Sequence, residues 1–279
     1  MPELPEVETV RKVLEGSIVN RKIEDVIVKY SPIITDDSDT FKKNVIGKKI
    51  VSMSRLGKFL IFNLENGNIV SHLRMEGKYF YLKKDELDNK HIHVKFIFDN
   101  GYELLYQDVR KFGRICYKEN NDLYLTKPLK DVGIDLILNK EFDYRNIYDK
   151  ILSRAMAIKT VLLDQSIIAG LGNIYVDEVL FKSSVNPHKP SNELTFDEFK
   201  RIVDNTILIL SKAIEYKGTT IRSYTSSLGV SGGYQNFLMV HTKTVCPTCK
   251  NKLIKDRING RSTYYCKYCQ RWSKLWKES

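Results

Sequence analysis

Phe59-Leu60-Ile61-Phe62-Asn63-Leu64 runs into Glu65-Asn66-Gly67 and returns as Ile69-Val70-Ser71-His72-Leu73. Two β-prone runs separated by an Asn-Gly turn signal predict a β-hairpin. A second follows: Ile92, Val94, Phe96 and Phe98 occupy every second position up to Asp99-Asn100-Gly101, and Tyr102 to Tyr106 leads back. Residues 22–115 therefore read as strands, a sandwich or a barrel. Ahead of them, Pro5 at a first helical position, then Val7, Val10, Val13 and Leu14 on one face with Gly16 as the stop, predict an amphipathic helix.

Downstream the pattern changes. Residues 120–142, with Pro128 and Gly133, are mixed and polar and hold a boundary; from about residue 143 the apolar period is helical. Ile158, Val161, Leu162 and Leu163 precede the loop Ala169-Gly170-Leu171-Gly172-Asn173, and residues 174–181 form the next helix. Thr195 with Glu198 predicts a capping box opening a long helix that ends before Gly218. Ser223 to Asn236 is rich in Ser and Gly, a long loop of the kind that acts as a lid.

The last 34 residues hold Cys246-Pro247-Thr248-Cys249 and Cys266-Lys267-Tyr268-Cys269, two C-x-x-C pairs with sixteen residues between. Four thiolates at that spacing suit one tetrahedral structural zinc ion. A redox dithiol is the other use of C-x-x-C, but two pairs in a tail too short for its own core favour a metal staple. Asn259-Gly260 is a type I′ signal and sets Arg261 beside the tip of a two-stranded ribbon. Cys116 is left over and reads as a buried, inert thiol.

Lys plus Arg is 45 and Asp plus Glu is 34, a net charge of +11. That balance suits a polyanionic partner, nucleic acid first among them, although a lysine-rich surface also arises from composition alone. Apolar runs are too short to span a membrane. The acidic, helical start is not a secretory signal, and the paired cysteines fit a reducing compartment, so the expected location is the cytoplasm.

The start, Met1-Pro2-Glu3-Leu4-Pro5-Glu6, carries chemistry if Met1 is removed. Pro2 then becomes a secondary amine able to attack carbon and form an iminium, with the Glu3 carboxyl one residue away. The positive end of the helix disfavours an ammonium and favours the Glu3 carboxylate. A frayed terminus is the competing reading. Two strand ends, His72-Leu73-Arg74-Met75-Glu76-Gly77 and Asp108-Val109-Arg110-Lys111-Phe112-Gly113, set an apolar side chain beside a cation. Such a pair can wedge into a base stack, or Met75 and Phe112 can be ordinary core residues. Gly170-Leu171-Gly172-Asn173 fits either a helical hairpin or a phosphate-binding helix start.

Together these stretches resemble the bacterial formamidopyrimidine-DNA glycosylase family: PELPEVE at 2–8, LGKFL at 56–60, HLRMEG at 72–77, DVRKFG at 108–113, IKTVLLDQ at 158–165, AGLGNIYVDE at 169–178, and the cysteine tail. The resemblance spans nearly the whole chain. It implies a multidomain α+β architecture: an N-terminal catalytic β-sandwich over 1–133, a helix-two-turn-helix domain over 134–242 with a lesion-capping loop at 219–236, and a zinc finger over 243–279. It implies a monomeric base-excision repair enzyme acting on duplex DNA that holds oxidised purines (8-oxoguanine, formamidopyrimidines) or abasic sites, cutting the strand by β,δ-elimination.

Residue by residue, the resemblance makes Pro2 the nucleophile and Glu3 the group that assists ring opening and proton transfer. Lys58 lies near the lesion's phosphate and sugar, and Lys159 contributes to lesion processing. His72, Asn173 and Arg261 bind phosphates. Met75, Arg110 and Phe112 fill the space the base leaves, with Arg110 facing the orphaned cytosine, and Glu76 lies near the everted base. The family often carries a proline-bearing linker after its first domain, where this chain has Asp131-Val132-Gly133-Ile134-Asp135. Two rivals stand beside this reading. Endonuclease VIII-like glycosylases for oxidised pyrimidines share the proline and the helical motif but typically have Gly where Leu4 stands and lack the wedge. A catalytically silent damage-binding protein is at odds with an intact Pro2, Glu3 and Lys58.

Overall fold

The computed structural model describes residues 2–219 and 232–272. The chain forms two compact units, Met1–Asp131 with Tyr216–Gly233, and Val132–Glu215 with Tyr234–Ser279.

The first unit opens with α1 (Leu4–Ile18), capped by Glu3 and carrying Pro5 in its first turn. Gly16, expected as its stop, lies inside it. Leu14 and Ile18 are both fully buried, and that burial outweighs the roughly 0.5–1 kcal/mol cost of a mid-helix glycine. The helix ends instead at extended Val19, followed by Asn20 at φ 66°. The strands β1 (Ile23–Val28), β2 (Ile50–Leu56), β3 (Phe59–Leu64), β4 (Asn68–His72), β5 (Lys78–Lys83), β6 (Ile92–Phe98), β7 (Tyr102–Gln107) and β8 (Arg114–Lys118) follow. They form two four-stranded antiparallel sheets, β1-β6-β7-β5 and β2-β3-β4-β8. Leu14, Phe41, Phe62, Tyr79, Phe96 and Tyr106 share one core drawn from both sheets and their helices.

A second helix, α2 (Ser38–Val45), interrupts what the sequence presents as continuous strand. Asp37 caps it by accepting the Thr40 N–H (2.9 Å), and it buries only Phe41 and Val45. Two apolar positions are too few to set a period.

The hairpins differ in turn type. At the β3–β4 turn Gly67 takes φ 89° and Leu64 N–H donates to its carbonyl (3.0 Å). The chain turns through Glu65-Asn66, with Gly67 as the left-handed bulge residue. A Cβ there would lie 2.0 Å from Tyr117 Oη, so glycine is required twice over. Only at Asn259-Gly260, with φ 46° and 74°, is the pair itself the turn, as type I′ demands.

The second unit contains α3 (Tyr144–Leu152), α4 (Ile158–Leu162), α5 (Asn173–Lys182) and α6 (Phe196–Glu215). The Thr195–Glu198 capping box opens α6: Thr195 N–H donates to Glu198 (2.8 Å) and Glu198 N–H to Thr195 Oγ1 (3.2 Å). The ribbon β9 (Ile254–Ile258) and β10 (Arg261–Tyr265) pairs antiparallel beside the cysteines. Among the described residues no helix is long and apolar enough to cross a membrane. Of the lid expected at 219–236, residues 220–231 lie outside the described residues.

Candidate active site and nucleic-acid interface

In the first unit, Pro2 and Glu3 are both buried at the start of α1. Glu3 forms a capping box with Glu6, whose carboxylate accepts the Glu3 N–H (2.9 Å). The segment is therefore a fixed turn, not a frayed end. Lys58 is buried on the turn between β2 and β3, after Gly57 at φ 55°. That turn is held by a chain of charge. Glu8 of α1 accepts from Arg11 and from buried Arg55, and Arg55 donates to the Gly57 carbonyl (2.7 Å). Burial opposes ionisation of Glu8, but the two guanidiniums outweigh it and hold its carboxyl below the usual range.

His72 ends β4, opposite Phe59 in register, and its ring packs edge-on against that ring. Its Nδ1 accepts the Arg74 N–H (2.9 Å), which leaves the proton on Nε2. Burial, then the charges of Arg74 and Lys58, push its pKa down to about 3. A neutral imidazole offering an N–H can bind a phosphate oxygen but adds no charge.

The loops that follow β4 and β7 are tied together by a residue that sequence reading passed over. Tyr106 is fully buried, and its Oη fills the space a Cβ would need at both Gly77 (2.4 Å) and Gly113 (1.6 Å). The loops 72–77 and 108–113 therefore close on one hydroxyl. Asp108, also fully buried, shapes the second loop by accepting from Arg110 N–H (3.0 Å) and Gly113 N–H (2.8 Å). Its own carbonyl accepts from His93 Nε2 (2.7 Å). The loop's product is an exposed pair: the Arg110 guanidinium lies over the Phe112 ring, 4.8 Å from its centroid. Phe112 is 47 % exposed, so it is no core residue. Met75 and Glu76 are half-buried in the facing loop. An Asp-x-Arg...Gly pattern with Tyr two residues earlier was the available signal for Tyr106 and Asp108.

In the second unit, Gln165 shapes the glycine loop before α5, accepting from Gly170 N–H (2.9 Å) and donating to the Leu163 and Leu171 carbonyls. Asn173 starts α5, and its Nδ2 donates to the Ser262 carbonyl (2.9 Å). Lys159 Nζ donates to that same carbonyl (2.8 Å), to Thr263 Oγ1 (2.9 Å) and to Asp177 (2.8 Å). Ser262 follows exposed Arg261, so both donors fix the backbone that aims that guanidinium. Lys159, to which the resemblance gives a part in lesion processing, is wholly buried, with its ammonium bound to three acceptors. Asp177 completes a buried network through His241 Nδ1 (2.8 Å) and Tyr264 N–H (3.3 Å). Glu178 accepts three backbone N–H groups, from Met239, Val240 and His241. Neither acid was singled out in the sequence.

The thiols of Cys246, Cys249, Cys266 and Cys269 lie within 4.8 Å of one another. The Cys246–Cys269 and Cys249–Cys266 sulfurs are 3.7 and 3.4 Å apart. Tetrahedral zinc with Zn–S near 2.3 Å requires roughly 3.8 Å between sulfurs. Both the donor set and the spacing fit one structural zinc ion. Cys116 is buried, and desolvation raises its thiol pKa to about 11, as an inert thiol requires.

Family models match both units of this architecture. Residues 1–115 match the formamidopyrimidine-DNA glycosylase N-terminal domain and residues 133–225 the H2TH domain of the same enzymes. The chain belongs to the formamidopyrimidine-DNA glycosylase family. It is 43 % identical over 274 residues to the formamidopyrimidine-DNA glycosylase of Bacillus cereus, covering 97 % of this chain and 99 % of that one. The enzyme of Streptococcus mutans is 43 % identical over 275 residues, covering 97 % and 100 %. Among solved structures, Lactococcus lactis Fpg in complex with an abasic site containing DNA superposes with TM-score 0.91 at 38 % identity, covering 97 % of this chain and 100 % of that one. A variant of that enzyme with a Fapy-dG containing DNA gives the same TM-score, identity and coverage. The family is one of bifunctional glycosylases and abasic-site lyases.

Proposed function

We propose that this protein excises oxidised purines from duplex DNA and cuts the strand at the resulting abasic site, with the Pro2 amine as nucleophile. The observation that carries this is the buried, capped Pro2-Glu3 turn at the N-terminus of α1. An amine at the positive end of a helix is held toward its neutral, nucleophilic form. A base within a duplex is out of reach and is extruded at a cost of a few kcal/mol. Met75, Arg110 and Phe112 offset that cost by filling the gap, with Arg110 toward the widowed base. His72, Lys58, Asn173 and Arg261 hold phosphates, and Glu76 lies near the everted base.

Pro2 nitrogen attacks C1′ and the C1′–N bond to the base breaks, the base leaving with a proton. Glu3 delivers a proton to the ring oxygen as the sugar opens, and nitrogen's lone pair completes an iminium. Loss of a C2′ proton then expels the 3′ phosphate, a second elimination expels the 5′ phosphate, and water releases the enzyme. Met1 must be gone, because an acylated Pro2 nitrogen has no free lone pair. The zinc ion staples the ribbon that carries Arg261 and takes no part in these steps.

Borohydride trapping tests the reading. Processed protein, its intact mass showing that Met1 is gone, should form a covalent adduct with an oxidised-guanine duplex, and protein that retains Met1 should form none. Absence of any adduct from the processed protein refutes the enzyme assignment. An undiminished adduct from protein that retains Met1 refutes Pro2 alone.

A further inference from the structure

The sheet β2-β3-β4-β8 turns one face to the core through Leu60, Phe62, Ile69, Ile115 and Tyr117. Side chains alternate along a strand, so the other face is set by Phe59, Val70, His72, Arg114 and Cys116. Register places these in two rows: Phe59, His72 and Arg114 stand side by side on three strands, and Val70 stands beside Cys116. The outward face of an antiparallel sheet is ordinarily polar. This one is half apolar, and a cavity of about 250 Å³ lies over it, lined also by Thr35, Lys127 and Pro128.

Floor and rim of the cavity differ in chemistry. Val70 and Cys116 are almost fully buried, and with half-buried Phe59 and Pro128 they make an apolar floor that includes a flat ring. Around it stand the exposed cations Arg74, Arg114 and Lys127, and no lining residue is a carboxylate. Arg114 spends Nη1 on the Lys111 and Gly113 carbonyls (3.4 and 2.7 Å). Lys127 meets exposed Asp131 at 3.9 Å, a loose pair that holds the ammonium weakly. His72 adds a neutral N–H, because its Nδ1 already accepts from Arg74 N–H.

Cations beside an apolar floor suit a ligand charged at one end and flat and apolar at the other. Inorganic phosphate, or a phosphate of the DNA backbone, would use the cations and leave the floor untouched. The volume is just below the ~300–1,000 Å³ of drug-sized pockets, which limits the apolar part to about two fused rings. We propose that this cavity binds a small aromatic anion, and that its occupation competes with DNA for the His72 N–H. The binding stands on the first unit alone; the competition rests on His72 holding a DNA phosphate, as proposed above.

Calorimetric titration of 2-naphthoate into the full-length zinc-loaded protein, without DNA and at constant ionic strength, tests the site. One equivalent should bind, at least about 10-fold more tightly than naphthalene-2-methanol, which lacks the charge, or inorganic phosphate, which lacks the rings. Arg114→Ala, at an exposed position that leaves the fold intact, should weaken binding by about 10-fold or more, as for one hydrogen bond to a charged group. Cys116→Met, which fills the floor, should weaken it by a similar factor. In fluorescence titrations with an abasic duplex, 2-naphthoate at ten times its own Kd should raise the apparent DNA Kd of wild type about 10-fold. In Arg114→Ala the same concentration should have much less effect. No binding, equal binding of the three probes, or binding that neither variant weakens would overturn the site. Binding without any effect on DNA affinity would overturn the competition, and His72→Gln separates the causes: unchanged DNA affinity in that variant means that His72 holds no phosphate. Borohydride trapping without 2-naphthoate is independent of these results, so its failure refutes the function proposed above and not the site.

Discussion

Replacing Lys159 by Met separates a structural lysine from a catalytic one. Methionine keeps the aliphatic length but removes the ammonium. Asp177, fully buried, then loses its 2.8 Å ion pair and retains His241 Nδ1 and Tyr264 N–H. Thr263 Oγ1 loses its donor, and the Ser262 carbonyl keeps only Asn173 of the two described here. Stranding one partner of a buried pair costs about 3–5 kcal/mol. Set against a typical total of about 5–15 kcal/mol, that is a large fraction. At roughly 3–5 °C per kcal/mol for a unit of this size, melting should fall by about 10–20 °C. Thermal unfolding followed by calorimetry measures it. DNA affinity should fall as well, because the backbone that aims Arg261 loosens. Single-turnover excision at saturating DNA, measured well below the lowered melting temperature, should stay within about 3-fold of wild type if Lys159 never touches the reacting atoms. Stability within about 1 kcal/mol of wild type together with a selective collapse of excision would refute this reasoning and return Lys159 to the chemistry.

Other outcomes follow from the same geometry. Arg261→Ala should flatten the slope of log affinity against log salt by about 0.9, whereas His72→Gln should weaken binding with the slope unchanged, because a neutral donor releases no counterion; fluorescence titrations across salt decide it. The His72 ring refuses a proton down to about pH 3, while the unfolded chain takes one near 6.5. Its contribution to stability is therefore present above pH 6.5 and is lost as pH falls from 6.5 toward 3, so wild type should lose more stability over that window than His72→Gln in denaturant titrations. Gly113→Ala sets a Cβ 1.6 Å from Tyr106 Oη; overpacking of about 1–3 kcal/mol should shift the Arg110–Phe112 loop and slow excision, with partial recovery in the double variant carrying Tyr106→Phe. Metal analysis should find one zinc per chain, and chelation should abolish tight DNA binding while the first unit's β-sheet circular dichroism persists.

Local chemistry carried much of this protein in the sequence. The strand runs, the Thr195–Glu198 box, the Asn259-Gly260 turn and the cysteine pairs are each dictated by neighbours within a few residues. The motifs at Pro2, His72, Arg110 and Asn173 each left an ordinary structural reading open and took their roles from the resemblance. What stayed hidden was set by burial across long separations. Gly16 reads as a stop, yet Ile18 has a place in the core and the helix continues. The resemblance gives Lys159 a part in lesion processing, and only the fold shows a carboxylate, a carbonyl and a hydroxyl converging on it from α5 and the ribbon. Tyr106 is one aromatic among sixteen tyrosines until Gly77 and Gly113 are seen to make room for its hydroxyl. The sequence by itself determined most of the strands, turns and caps and which chemistry is available, though not α2 or the end of α1. Only the tertiary structure decided which polar groups are used up inside and which, like Arg110 and Phe112, are left facing out, because desolvation and hydrogen-bond satisfaction depend on what the folded chain packs around each group.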